Sequence, residues 1–244
     1  MRPHALSLDL FGTIVFFDVG RLPRRLVGGE EKVVTVAGID DLLAAVAPAT
    51  PLAEFVDALA QASIDVAREK ARDQREVPTR ERFRRALAAS GARGADANEV
   101  ATTMAERHMA VLADAVVCPP DRLEVLERLA ADHPLALVSN FDHGPTAHAL
   151  LARFGLTRFF RAVVVSADVG VLKPAAEIFT TACARLEADP AGCLHVGDSR
   201  EADVLGATAA GLTAVWIGTG DAAPAVGCIA DLRELPDWLN ERYR

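Results

Sequence analysis

The chain contains no run of about 18 consecutive apolar residues, the minimum for a membrane-spanning helix. Its N-terminus, MRPHALSLDLFG, carries charge and a short apolar run but no small-residue cleavage pattern, so it does not read as an export signal. Both absences lead to an expected cytoplasmic location. An excess of basic residues is missing too: 26 Lys and Arg stand against 34 Asp and Glu, a formal net charge of −8. A field of that sign draws the protein to neither nucleic acid nor an anionic membrane, and no basic stripe with interleaved aromatics is present. An anionic ligand therefore needs local positive charge. Cys118, Cys183, Cys193 and Cys228 are scattered without a CxxC pair, which argues against a zinc site and a disulfide framework. All four are expected to be reduced and mostly buried, packing as small hydrophobes. No internal repeat or low-complexity tract stands out.

What is present is the material of an ordinary globular protein, 51% hydrophobic and 25% charged over 244 residues. That length suits one large α/β domain or a core with a smaller insert. The apolar run ending at Asp9 reads as a buried parallel strand, and the next convincing strand, LALVS (Leu135 to Ser139), comes only after a long interval. The interval carries helical spacing: a segment capped by Thr50 with Pro51 at its first position, another from Thr79 to Gly91, and a third ending near Ala115. An all-helical insert over residues 16–115 is predicted, with VGGEEKVVTVAGIDD (Val27 to Asp41) open between hairpin and loop. From Pro120 onward, helical segments alternate with AVVVS, CLHVGD, TAVWIG and a last apolar piece at GCIADL. That rhythm predicts an α/β fold with a doubly wound, mostly parallel sheet, its core formed by residues 1–15 and 116–244.

Polar residues gather at the expected strand ends, where open α/β sheets bind ligands. Asp9 with Gly12 and Thr13 could be a simple strand-end turn. In HVGDSREAD, Asp198 sits at a strand tip and Asp203 about a turn into the next helix; two converging carboxylates suit a hard cation such as magnesium. Ser139 and Asn140 could hold an anion's oxygens, although both are ordinary turn residues. Lys173, just before Pro174, can present an ammonium from a loop, as can any surface lysine.

Taken in order, Asp-x-x-Gly-Thr, Ser-Asn, Lys-Pro and Gly-Asp-Ser-x-x-x-Asp resemble the four motifs of the haloacid dehalogenase-like hydrolase superfamily, and the helical insert resembles its helical cap. The resemblance covers nearly the whole chain and implies a Rossmann-like core. It also implies a covalent nucleophile at Asp9. Magnesium would be held by Asp9, Asp198 and the backbone carbonyl of Phe11, with Asp203 in support. Ser139, the Asn140 backbone and Lys173 would bind the transferring group, Lys173 would restrain the Asp9 charge, and Thr13 would orient the first loop. A small anionic substrate is expected; monomer and homodimer both remain open.

One position departs from the pattern. Most phosphatases of the superfamily place a second Asp two residues after the nucleophile as general acid and base; here Phe11 stands, and Phe11 cannot transfer a proton. General acid–base help is worth about 10²–10⁴-fold, so its loss matters most for poor leaving groups. The dehalogenase branch has an aromatic residue at this place, since a halide leaves without a proton, but lacks the acidic form of the last motif. The favoured expectation is magnesium-dependent hydrolysis of a small organophosphate with a good leaving group. The rivals are 2-haloacid dehalogenation and a weakly active or inactive binding protein on the same fold. Asp142, His143 or a cap residue could supply a surrogate proton. Among Arg75, Arg80, Arg82, Arg84 and Arg85, one could clamp a distal anion, or all could form a solvated face paired with Glu76 and Glu81. His108, Met104 and Met109 are read as packing residues of the cap.

Overall fold

The structure is a computed structural model that describes residues 2–243. The chain opens with β1 (Ala5–Leu8) and a short strand β2 (Phe16–Phe17), then forms a hairpin of β3 (Arg24–Val27) and β4 (Glu30–Val33). Four helices follow: α1 (Ile39–Val46), α2 (Leu52–Asp73), α3 (Arg80–Ala89) and α4 (Ala95–Asp114). After β5 (Val116–Val117) come α5 (Arg122–Asp132), β6 (Leu135–Ser139), α6 (Gly144–Arg153), β7 (Phe160–Val165), α7 (Ser166–Val169), α8 (Ala176–Arg185) and β8 (Cys193–Gly197). A π-helical turn, Arg200–Leu205, runs into α9 (Gly206–Ala209), and the chain closes with β9 (Thr213–Ile217), β10 (Gly227–Ile229) and α10 (Leu235–Arg242). Two compact units result, one formed by the chain up to Phe17 and from Val117 onward, the other by Asp18–Val116.

The first unit is built on a six-stranded sheet in the order β10-β9-β8-β1-β6-β7, and every pairing in it is parallel. Every residue of β1, β6 and β8 is buried, as the near-continuous apolar runs require of strands covered on both faces. One face packs through Ala136, Val138 and Val164 against Ile178, Phe179 and Ala182 of α8 and Val204 of the π-helical turn. Because β1 leads by crossovers first to β6 and then to β8 on its other side, the strand order reverses about β1. Such a reversal opens a crevice at the C-terminal strand ends.

The second unit differs from the expected all-helical insert. Its hairpin spans Arg24 to Val33 in strict register, with Val27 opposite Glu30. Gly28 and Gly29, at φ 61° and 85°, form the two-residue turn with two positive φ angles that right-twisted strands favour. That glycine pair decides the ambiguous segment. Thr50 is not the cap of α2; Pro51 occupies the cap position, and the Thr50 hydroxyl donates to the Ser90 carbonyl at 3.0 Å. Phe55, Phe83, Leu87 and Met104 fill this unit's own core, and Met109 is buried as well. Among the described residues, no helix is long and apolar enough to cross a membrane.

Arg122, the first residue of α5, is 2% exposed and donates to both oxygens of Asp231 at 3.0 and 2.8 Å. This pair ties α5 to the turn before α10. The Arg122 guanidinium, ahead of any other cause, holds the Asp231 carboxyl below the usual aspartate range. A lowered folded-state value means that the stabilisation is complete above the unfolded pKa of about 4 and is lost as pH falls through the lower folded value. Asp231→Asn is therefore expected to cost about 2 kcal/mol at pH 7. In urea titrations the gap between parent and variant should close progressively below about pH 4. A gap that stayed constant from pH 7 to pH 2 would refute the charge pairing.

Candidate active site

Three adjacent strands deliver the first residues of the site to one edge of the sheet. Asp9 follows β1, Ser139 ends β6 and Asp198 follows β8. The Asp9 amide continues the ladder by donating to the Val196 carbonyl at 2.9 Å, so the carboxylate leaves the sheet at a fixed point. The loop after it closes tightly: Ile14 and Val15 amides both donate to the Leu10 carbonyl, and the Gly12 amide to that of Val15. Gly12 has φ 87°, and a Cβ there would fall 2.2 Å from Asp198 Oδ2. Glycine is thus required both by the backbone angle and by the aspartate lying over it.

Lys173 is the centre of the cluster. Its ammonium, 3% exposed, donates to Asp9 Oδ1 at 2.5 Å and to Asp203 Oδ1 at 2.6 Å. The expected loop-borne cation open to an anion is instead buried, with two of its three N–H bonds already committed. Burial works against the ammonium, yet Asp203 and Asp9 together hold its pKa above the usual lysine range. Asp203 is brought in by the π-helical turn: the Ser199 hydroxyl caps the turn through the Ala202 amide, and the Ser199 amide donates to Asp203 Oδ2 at 2.9 Å. Burial would raise its carboxyl, but Lys173 and His195 overcome that and keep it below the usual range. Asp9 goes the other way: burial pushes it up to about 7, against the pull of Lys173.

Asn140 acts through its side chain, which brackets the Lys173 backbone, donating to its carbonyl at 2.9 Å and accepting from its amide at 2.7 Å. The Ser166 hydroxyl likewise accepts from the Phe141 amide at 2.9 Å, anchoring the loop that follows β6. Three buried oxygens, Asp9 Oδ2, Thr13 Oγ1 and Ser139 Oγ, have no hydrogen-bond partner within the protein. Unpartnered buried acceptors and hydroxyls are costly, and their meeting at one sheet edge marks a place built for a ligand.

The donor set suits a divalent cation. Asp9, Asp198 and Asp203 offer oxygens that lie within 4.8 Å of one another. Three carboxylates against one ammonium leave an excess of two negative charges when all are ionised, which a dication would neutralise. Asp203 has both oxygens engaged by protein donors, whereas Asp9 Oδ2 is open and Asp198 lies on the exposed side.

Phe11 is held in an aromatic stack, its ring centroid 4.9 Å from that of Phe17 and 4.8 Å from that of Phe141. The place of the missing acid is therefore filled by apolar rings. In the second unit, Arg84 is paired in bidentate fashion with Glu81, and Arg85 bridges Glu81 and Glu69 at 2.7–2.8 Å. Those two arginines are taken up by Glu81 of their own helix and, for Arg85, by Glu69 of α2, which was not among the expected partners. His108 packs edge-on against Phe83 and shares a 2.5 Å hydrogen bond with Thr35.

Two contributors escaped the sequence reading. His195, fully buried in β8, places Nε2 3.0 Å from Asp203 Oδ1 and Nδ1 2.8 Å from the Ser7 hydroxyl. The available signal was a histidine inside the otherwise apolar run CLHVG and a serine inside ALSL.

A family model described as haloacid dehalogenase-like hydrolase matches residues 4–211. Over 70 residues the chain is 41% identical to the glyceraldehyde 3-phosphate phosphatase of Methanopyrus kandleri, covering 29% of this chain and 30% of that one. Over 97 residues it is 38% identical to the ribulose-1,5-bisphosphate 5-phosphatase of Halopiger xanaduensis, covering 39% and 40%. The chain thus spans less than half the length of these curated relatives. A 2-haloacid dehalogenase from Pseudomonas syringae pv. Tomato superposes with a TM-score of 0.71 over 99% of this chain and 100% of that one, at 23% identity. At that identity the likeness concerns the fold.

The close approach of Asp203 to the end of β8 yields a test. A Cβ on Gly197 would meet Asp203 Cγ at 2.2 Å, so the carboxylate can fold back onto Lys173 only over a glycine. Gly197→Ala is expected to displace Asp203, lowering stability by about 1–3 kcal/mol in urea unfolding. Parent-like stability would mean that Asp203 does not sit against this strand.

Proposed function

The chain belongs to the haloacid dehalogenase-like hydrolase family, and on that premise we propose that it is a magnesium-dependent phosphatase of small organophosphates with good leaving groups. The observation that carries this reading is the buried, net-negative cluster around Lys173, in which Asp9 Oδ2 has no protein partner. In this reading the Asp9 carboxylate attacks phosphorus, the bond to the leaving oxygen breaks, and the leaving group departs with the electron pair. Water then attacks the aspartyl phosphate, releasing inorganic phosphate and restoring the carboxylate. Ser139, Thr13, the Asn140 backbone and the remaining N–H of Lys173 bind the phosphoryl oxygens. Asp9, Asp198 and the Phe11 carbonyl oxygen hold magnesium, which when bound offsets the charge of the carboxylates and the transferring group. The inserted unit Asp18–Val116 takes the role of specificity cap.

Phe11 sets the substrate class. No proton is available from that position, so departing groups must be stable as anions: acyl, enol or aryl oxygens ahead of alkoxides. The same residue supports a second reading, hydrolysis of a carbon–halogen bond, since a halide needs no proton. Asp198 weighs against it, because a dehalogenase has no evident use for a carboxylate over the first loop.

A panel of p-nitrophenyl phosphate, acetyl phosphate, an alkyl phosphate and 2-chloropropionate, each with magnesium and with EDTA, separates the two. Magnesium-dependent phosphate release, strongest on the first two, is expected; halide release insensitive to EDTA would replace the phosphatase reading. Asp9→Asn should abolish turnover with an unchanged circular dichroism spectrum, and full activity in that variant would remove the covalent step. Phe11→Asp should raise turnover of the alkyl phosphate about tenfold or more by restoring a proton donor. No gain would mean that another group already supplies the proton.

A further inference from the structure

We propose that His195 is a positioning residue, which sets how Lys173 is shared between Asp9 and Asp203. The proposal rests on the phosphatase reading for its chemistry and on the packing of β1 and β8 for its geometry. Ser7 and His195 are register partners on these two neighbouring strands, so their side chains stand side by side on one face of the sheet. Both are buried, and the imidazole lies edge-on to Phe179 with ring centroids 5.0 Å apart. A polar ring in such a place costs free energy unless both nitrogens are satisfied, and here both are, by Ser7 and Asp203.

The network assigns the tautomer. Asp203 accepts from Lys173 and from the Ser199 amide and is ionised, so it can only accept from His195; Nε2 therefore carries the proton. In the neutral ring Nδ1 is then an acceptor, and the Ser7 hydroxyl donates to it. Asp203 thus fixes the tautomer, Ser7 satisfies the remaining nitrogen, and His195 delivers its N–H to the same oxygen, Asp203 Oδ1, that Lys173 uses. With a second donor on that oxygen, Asp203 draws less strongly on the ammonium, and more of it is left for Asp9. When the Asp9 carboxylate loses its charge on becoming an acyl phosphate, Asp203 is the carboxylate that still holds Lys173, and His195 keeps it in place.

His195→Leu fills the same apolar volume without the donor, and His195→Gln restores an N–H near the position of Nε2. On p-nitrophenyl phosphate with magnesium, the leucine variant is expected to lose kcat about ten- to a hundredfold with KM nearly unchanged. The glutamine variant should recover most of that loss. Equal kcat in parent and leucine variant, or equal losses in both variants, would overturn the proposal. A second measurement does not depend on folding of any variant: nitrogen-15 spectra of the parent should show His195 protonated at Nε2 and unprotonated at Nδ1. The opposite tautomer would also overturn it. Absence of Asp9-dependent turnover in the parent would instead overturn the phosphatase reading, while the tautomer would still report on the hydrogen-bonded chain from Ser7 to Asp203.

Discussion

The ammonium of Lys173, sealed between two carboxylates, is the interaction on which the rest of the site depends. A lysine 3% exposed keeps its charge only if its partners are also buried and fixed. Each partner is fixed by a different part of the fold: Asp9 by the end of β1, Asp203 by the π-helical turn, and the lysine backbone by the Asn140 side chain on the loop after β6. The parallel sheet is what allows these segments, 33 or more residues apart from Lys173 on the Asn140 and Asp9 sides, to meet. Removing the lysine would leave two buried carboxylates without a compensating charge.

The opposing pKa directions within the cluster follow from the same arrangement. Asp203 has donors on both oxygens and is held low, whereas Asp9 has a donor on one and is pushed up to about 7 by burial. Two buried carboxylates sharing one cation cannot both be satisfied by it, and the one left short is the one with an open oxygen. A dication beside Asp9 and Asp198 would reverse that deficit, which is why the proposed nucleophile and the proposed metal ligand are the same residue.

How far the sequence was legible depended on the range of the interaction. The strands of the central sheet were readable because burial on both faces leaves uninterrupted apolar runs, and Asp9, Ser139 and Asp198 because each sits at the tip of such a run. The hairpin of the insert is only half legible: Val27 to Asp41 stays open between hairpin and loop because Arg24–Val33 has little apolar alternation and is defined by the Gly28–Gly29 turn. The position of Lys173 before Pro174 is legible, but its burial is not, since that follows from Asp203 folding back over Gly197. Asn140 was read through its backbone, and only tertiary structure reveals its side-chain bracket on Lys173. His195 carried a visible signal, a polar residue in a strand buried on both faces, whose meaning required knowing that Ser7 lies opposite.

Phe11 and Asp198 point to different chemistries when read as motifs, yet they answer different chemical questions. In the proposed reaction Asp198 would concern how charge on the transferring group is neutralised, and Phe11 how charge on the departing group is handled. A site can be strong in the first and empty in the second, and its substrates are then those whose leaving groups carry their own charge easily. The rings of Phe17 and Phe141 on either side of Phe11 make that emptiness a built feature, because a carboxylate placed between them would lose two stacking partners and gain none. On the proposed reading the apolar stack and the acidic cluster are consistent halves of one site, specialised by what its second half leaves out.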